Sequence, residues 1–139
     1  MSMRLLMIAF AALVGGALVA GAVGRTQAKA PAIRYVDDKF GPILATPTKR
    51  ALYYWNVEKR ANGKIKCTRS CAKAWPPLYA KGAVPRHVAG IKGIFGTVRR
   101  PDGRRQVTFN GLAVYTYAHE GPTQVLCDNV GGWFVVRLK

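Results

Sequence analysis

Tyr53-Tyr54-Trp55-Asn56-Val57-Glu58 and Tyr115-Thr116-Tyr117-Ala118-His119-Glu120 share one pattern, Tyr-x-aromatic-x-x-Glu. Each copy follows a short apolar lead-in, Ala51-Leu52 in the first and Ala113-Val114 in the second. A pattern that returns at long range marks a chain built from two similar units. Alternation within the first copy indicates a half-buried strand, with Tyr53, Trp55 and Val57 on one face and Tyr54 on the other. The first expectation for Tyr53, Trp55, Tyr115 and Tyr117 is therefore a shared aromatic core. The second is an aromatic-lined cleft, because Tyr and Trp keep a polar atom that a ligand can use.

Turn signals extend this reading outward. Residues 43–46 suit a short strand, Pro47-Thr48-Lys49-Arg50 a turn and residues 51–57 a second strand. Asn62-Gly63 accept positive φ at low cost and are expected to close a hairpin onto residues 64–67. Residues 68–75 are the one expected helix, capped by Thr68 or Ser70 and stopped by Pro76-Pro77. Residues 81–94 carry Gly82, Pro85, Gly90 and Gly93 and read as loop. Strands at 96–100 and 104–109 flank the Pro101-Asp102-Gly103 turn. Asn110-Gly111 turns the chain into a strand at 112–118, and Gly131-Gly132 precedes a last strand at 133–138. The expected class is all-β, mainly antiparallel hairpins and a meander from two repeat units, with one short helix near 68–75.

Residues 1–24 are expected to be an export signal. A short positive segment precedes an uncharged run at residues 5–23, and Ala20-Gly21-Ala22 and Ala28-Lys29-Ala30 are cleavage candidates, the second disfavoured by Pro31. Retained, the same run of about 19 residues would be a membrane anchor, since roughly 20 span a bilayer. Residues 25–40 mix Lys, Arg, Ala, Pro and Asp-Asp and read as a linker. Residues 41–139 form a single domain, with units at about 41–80 and 94–138, long enough for one core.

The chain carries 22 Lys and Arg against 6 Asp and Glu, a formal net charge of +16. Long-range attraction then favours anionic surfaces. In an exported protein those are an anionic envelope polymer or a membrane surface, and nucleic acid is not expected. Arg99, Arg100, Arg104 and Arg105 around one hairpin are the candidate anion-binding residues. The plainer role of the charge is to keep the domain soluble.

With so few acids, Glu58 and Glu120 at equivalent positions call for explanation. A carboxylate at a strand end accepts backbone N–H groups from the following turn or pairs with an Arg. As a cation-binding pair the two would lack a third ligand. Cys67-Thr68-Arg69-Ser70-Cys71 is a C-x-x-x-C at a helix start, and Cys127 stands alone. An exported chain forms disulfides. The preferred pairing is local, Cys67 with Cys71, leaving Cys127 free or paired with another chain. The competing pairing joins Cys127 to one of the two.

The segment Cys67-Thr68-Arg69-Ser70-Cys71-Ala72-Lys73-Ala74-Trp75-Pro76-Pro77-Leu78 resembles a C-x-x-x-C-A-x-x-W-P-P-L block of the bacterial secreted-repeat family, predicted lipoproteins with a Yx(FWY)xxD motif. Residues 102–112 resemble its D-G-x-x-Q-x-T-x-N-G hairpin, and Gly131-Gly132-Trp133-Phe134-Val135-Val136 resembles its terminal G-x-W-F-V strand. The resemblance covers residues 41–136. It implies a repeat domain of the cell envelope and brings no biochemical activity with it. Here Glu58 and Glu120 replace the family's Asp, Ala113 stands where a Pro is usual, and Cys127 lies in a segment that is normally Cys-free. No Cys precedes Cys67, so the lipobox cysteine is missing and lipid anchoring by that route is not expected.

No nucleophile elbow, no His-Glu-x-x-His and no acid pair with a neighbouring base is present. The chain is therefore expected to be non-catalytic, with no catalytic residue, no metal ligand set and no cofactor. The leading function is binding or scaffolding at anionic surfaces of the envelope. The rival is a small periplasmic redox or metal-handling protein using Cys67, Cys71, His119 and the aromatic cluster.

Overall fold

The structure is a computed structural model and describes residues 11–21 and 27–139. Residues 11–21 carry no helix or strand; the rest of the expected export signal, and the Ala22 end of its first cleavage candidate, lie outside the described residues. No helix of the described residues is long and apolar enough to cross a membrane. The class is all-β: short antiparallel strands with two short helices among the described residues.

β1 (Ile33–Asp37) and β2 (Gly41–Ala45) form an antiparallel hairpin. Asp37 shapes its turn: Oδ1 accepts the N–H groups of Lys39 (2.8 Å) and Phe40 (2.9 Å), and Gly41 takes φ 69°. The stretch expected to be linker, residues 25–40, therefore contains a strand. Its signal was a weak alternation, half-buried Ile33 and Tyr35 between exposed Arg34 and Val36. The charge run Asp37-Asp38-Lys39, within the expected linker, is the hairpin turn.

β3 (Tyr53–Trp55) pairs with the distant β7 (Trp133–Val135). The expected strand at 51–57 stops at Trp55. Asn56 N–H bonds Gly132 O at 2.8 Å, and the chain then winds into α1 (Asn56–Arg60). Asn62-Gly63 does not close a hairpin. Asn62 is left-handed (φ 54°), Asn62 N–H bonds Lys59 O at 3.2 Å and Gly63 N–H bonds Glu58 O at 2.8 Å. That is a Schellman cap, the other structure these two residue types favour. A Cβ on Gly63 would lie 2.6 Å from Gly111 O, so the position also needs the bare backbone.

α2 (Ser70–Ala74) lies within the helix expected at 68–75. β4 (Phe95–Arg99), β5 (Arg105–Phe109) and β6 (Leu112–Ala113) form a meander. Asn110 (φ 49°) and Gly111 (φ 81°) make the turn between β5 and β6 with the positive dihedrals their identities predict.

The two halves of the chain are alike in part, although α1 and α2 have no helical counterpart in the second. β1 and β2 correspond to β4 and β5, and β3 to the stretch around Tyr115. The antiparallel bridges repeat as well. Ile43 with Arg137 corresponds to Gln106 with Tyr79, and Tyr53 with Val135 corresponds to Tyr115 with Pro77. These bridges reveal an exchange. The last segment of the first unit, residues 75–80, lies on the second unit: Leu78 N–H bonds Val114 O (3.0 Å), and Val107 N–H bonds Leu78 O (2.8 Å). The last segment of the second unit lies on the first: Val136 N–H bonds Leu52 O (2.9 Å), and Leu44 N–H bonds Val136 O (2.9 Å). At the centre Tyr53 and Tyr115 exchange reciprocal backbone bonds of 2.8 and 2.9 Å. Neither unit completes its own sheet, so the two fold as one domain.

Period-2 alternation sends the side chains to two cores. Leu52 and Tyr54 pack with Leu44, Val107, Val114 and Val136 in an aliphatic core. Ala51, Tyr53 and Trp55 pack with Trp75, Tyr115 and Trp133 in an aromatic one. Fully burying one aliphatic side chain contributes about 1.5–3 kcal/mol.

Candidate functional site

The two Tyr-x-aromatic-x-x-Glu motifs meet where the units cross. Tyr53 Oη donates to Glu120 Oε2 at 2.7 Å, and Tyr115 Oη donates to both carboxylate oxygens of Glu58 at 2.9 Å. Each tyrosine binds the glutamate of the other motif. Both carboxylates also accept backbone N–H groups from the chain that follows. Glu58 Oε2 takes those of Lys66 (2.7 Å) and Cys67 (3.0 Å), and Glu120 Oε2 takes that of Leu126 (3.0 Å). Glu58 and Glu120 are only 1% and 5% exposed. Their acceptor capacity is directed at protein donors rather than at solvent, which is how a buried charge is made tolerable.

Two arginines complete this clasp. Arg50 Nη2 donates to the backbone oxygens of Tyr117 (2.9 Å) and Glu120 (2.7 Å). Arg100 Nη2 donates to Cys67 O (2.6 Å), and its Nη1 donates to Gln106 Oε1 (2.7 Å) and approaches Tyr115 Oη at 3.5 Å. Arg100 is 4% exposed and is thereby removed from the expected anion-binding set. Neighbouring residues at a strand end point to opposite faces, so Arg99 is exposed while Arg100 turns inward. Sequence reasoning missed Arg50 and the inward turn of Arg100, for a run of arginines carries no mark of which one is buried.

The aromatic cluster obeys the same symmetry. Trp75 and Trp133 stack at 4.0 Å and 8°. Tyr53 meets Trp75 edge-on at 5.2 Å, and Tyr115 meets Trp133 edge-on at 5.1 Å. Trp55 stacks on Trp133 at 5.2 Å, and Tyr117 tilts against Trp75 at 4.7 Å. Trp75 and Trp133, at the centre of the cluster, were not among the expected site residues although both stand in the quoted blocks. Tyr53 and Tyr115 are fully buried; Trp55 and Tyr117 form its half-exposed margin.

Cys67 and Cys71 are joined by a disulfide with Cα atoms 5.2 Å apart. Cys127 is free. Cys127 and Cys67 are both followed two residues later by a residue of positive φ, Asn129 (60°) and Arg69 (52°). Gly131 stands four residues after Cys127, where Cys71 stands after Cys67, so Cys127 has no local partner. Burial, and then the nearby Glu120 charge, push the Cys127 thiol above its ordinary range, which keeps it protonated and weakly nucleophilic. His119 rests edge-on against Tyr117 at 5.5 Å. Among the described residues no three His, Cys, Asp or Glu side chains gather as a metal site.

Burial, followed by the adjacent carboxylate, raises both clasp phenols well above the usual tyrosine range. The unfolded phenols ionise near pH 10, roughly, while the folded ones keep their protons. The folded chain then holds more protons than the unfolded one, and stability falls as pH rises above that point. Burial raises Glu120 in the same direction, against the lowering effects of Leu126 N–H, Tyr53 Oη and Arg50. Its contribution therefore also declines as pH rises past the ordinary carboxylate range. Urea unfolding across the alkaline range is expected to give a shallower loss of stability for Tyr53→Phe/Tyr115→Phe than for the parent chain. An unchanged slope would contradict this assignment.

Arg99, Arg104 and Arg105 remain exposed at the turn end of the β4–β5 hairpin. Arg99 and Arg105 make only long bonds to Gly103 O (3.5 Å), Gly82 O (3.4 Å) and Thr97 Oγ1 (3.3 Å), and Arg104 lies over the Tyr79 ring at 3.4 Å. None of the three pairs with a carboxylate; the ion pair found among the described residues is Arg137 with Asp128. The geometry thus separates a buried clasp, whose groups are taken up internally, from a basic hairpin tip open to a partner. Comparison of the chain with protein-family models, with curated proteins and with solved structures gives no match.

Proposed function

We propose that this chain is an exported, non-catalytic domain of the secreted-repeat kind that binds or scaffolds at anionic surfaces of the cell envelope. The observation that carries the reading is the cluster of Arg99, Arg104 and Arg105, exposed at one hairpin tip without a carboxylate partner, in a chain of net charge +16. Arginines so placed suit phosphate or carboxylate groups. The Cys67–Cys71 disulfide fits an oxidising compartment. The envelope context rests on the resemblance of residues 67–78, 102–112 and 131–136 to blocks of the secreted-repeat family.

The test is co-sedimentation with vesicles containing phosphatidylglycerol, against phosphatidylcholine alone, at low and high salt. Each basic residue near an anionic surface contributes about 1 kcal/mol. Replacing Arg99, Arg104 and Arg105 by Ala is then expected to weaken binding on the order of 100-fold while the chain stays folded. Arg100 is left in place, because its loss would act on stability. Binding that ignores salt and survives the triple substitution sinks the reading.

One observation favours the redox alternative. Cys71 is half-exposed beside Lys73 and Arg69 while Cys67 is buried, an arrangement in which an attacking thiol can reach one sulfur. Rapid, reversible reduction by glutathione would support that alternative, and a disulfide inert to it would remove it.

A further inference from the structure

A groove of about 620 Å³ lies on the face of β3 and β7 away from the aromatic cluster. Its volume falls in the range typical of small-molecule sites. The cross-strand pair Tyr54 and Phe134, stacked at 5.7 Å, forms one wall, and Leu112 with the largely buried Phe109 forms an apolar floor. α1, the Asn110-Gly111 turn and the loop before β7 supply the rim.

The rim groups still open to a ligand are mostly donors. Lys59 Nζ sits 5.7 Å from the Tyr54 ring centroid and has no carboxylate partner among the described residues. Asn110 Oδ1 already accepts Ile94 N–H at 2.9 Å, which leaves its side-chain N–H groups. Asp128, the one acid on the rim, is neutralised by Arg137 at 2.9 Å, and its other oxygen accepts Val135 N–H. A wholly polar anion would leave the floor in contact with water. A neutral hydrocarbon would leave Lys59 uncompensated. A carboxylate on an apolar body satisfies both.

We infer that this groove binds a small organic carboxylate, with the charged head at Lys59 and the apolar body on Phe109, Leu112 and Phe134. The site is separate from the basic hairpin tip, since it adjoins the opposite end of β5. The Tyr54-Phe134 wall suits a ring and the aliphatic floor suits a chain, so both forms of the body are probed.

The experiment titrates the full chain with octanoate, 2-naphthoate, octanol and acetate, following the side-chain amide resonances of Asn110 and Asn129. Octanoate or 2-naphthoate is expected to shift both amides with 1:1 saturation, and whichever binds tighter identifies the body. Octanol and acetate are each expected to bind at least about tenfold more weakly, as loss of one charge-assisted or apolar contact implies. Lys59→Glu is expected to cost about tenfold or more. Lys81→Glu changes the net charge equally from outside the groove and is expected to cost less than about twofold, being screened. The inference is overturned if neither carboxylate shifts the amides, if acetate matches octanoate, or if the two charge reversals weaken binding equally.

Discussion

Glu58→Ala is expected to lower the unfolding free energy by about 3–6 kcal/mol, from the cost of leaving buried donors unpaired. Glu58 is 1% exposed and accepts three donors, Lys66 N–H, Cys67 N–H and Tyr115 Oη–H. Removal of its carboxylate leaves all three facing a small apolar hole, at about 1–3 kcal/mol each before relaxation. It also removes the acceptor of Tyr115 Oη, the hydroxyl that Arg100 Nη1 approaches at 3.5 Å. Domains of this size have about 5–15 kcal/mol in total, so the loss is a large share. Chemical denaturation gives the number directly. Glu58→Gln keeps an acceptor for the backbone N–H groups and is expected to fall between the parent and Glu58→Ala. A Glu58→Ala cost below about 1 kcal/mol, the level of an ordinary surface change, would show that the clasp contributes little.

Trp133→Ala has the next largest expected effect, about 3–5 kcal/mol. Trp133 is, with Trp75, one of the two residues through which the aromatic cluster is connected. It stacks on Trp75 and Trp55 and receives the edge of Tyr115, and it is 5% exposed. As the first residue of β7 it also lies in the exchanged segment, so a cavity there loosens the pairing of β7 with β3. The melting temperature is expected to fall by more than about 10 °C. Trp55→Ala, at the half-exposed margin, is expected to cost less than half as much, and equal losses at the two sites would count against Trp133 as a central member of the cluster.

The sequence was legible wherever the signal was local. Asn110-Gly111 specified its hairpin, Pro76-Pro77 ended α2, and the spacing of Cys67 and Cys71 suited a short disulfide. Alternation in Tyr53-Tyr54-Trp55 correctly divided the side chains between two faces. Local patterns with two solutions were less secure. Asn62-Gly63 suits a hairpin turn and a helix cap equally, and here the pair caps α1. The clasp itself was not legible. Two copies of one motif say that Tyr53 resembles Tyr115, but not that Tyr53 binds Glu120 rather than Glu58. That choice depends on the exchange of residues 75–80 and 133–138, a pairing made across most of the chain. The inward turn of Arg100 is completed by the same crossing, since Cys67 O reaches it only once the two units have met.

The central claim is that the two motifs lock crosswise, and a double-mutant cycle tests it most directly. Unfolding free energies would be measured for Tyr53→Phe, Glu120→Gln and the pair, and for Tyr53→Phe with Glu58→Gln as the within-motif control. The account predicts a coupling of about 1–3 kcal/mol between Tyr53 and Glu120, and roughly none, within about 0.5 kcal/mol, between Tyr53 and Glu58. Coupling confined to the within-motif pair would contradict the crossed arrangement and the two-unit exchange on which it rests.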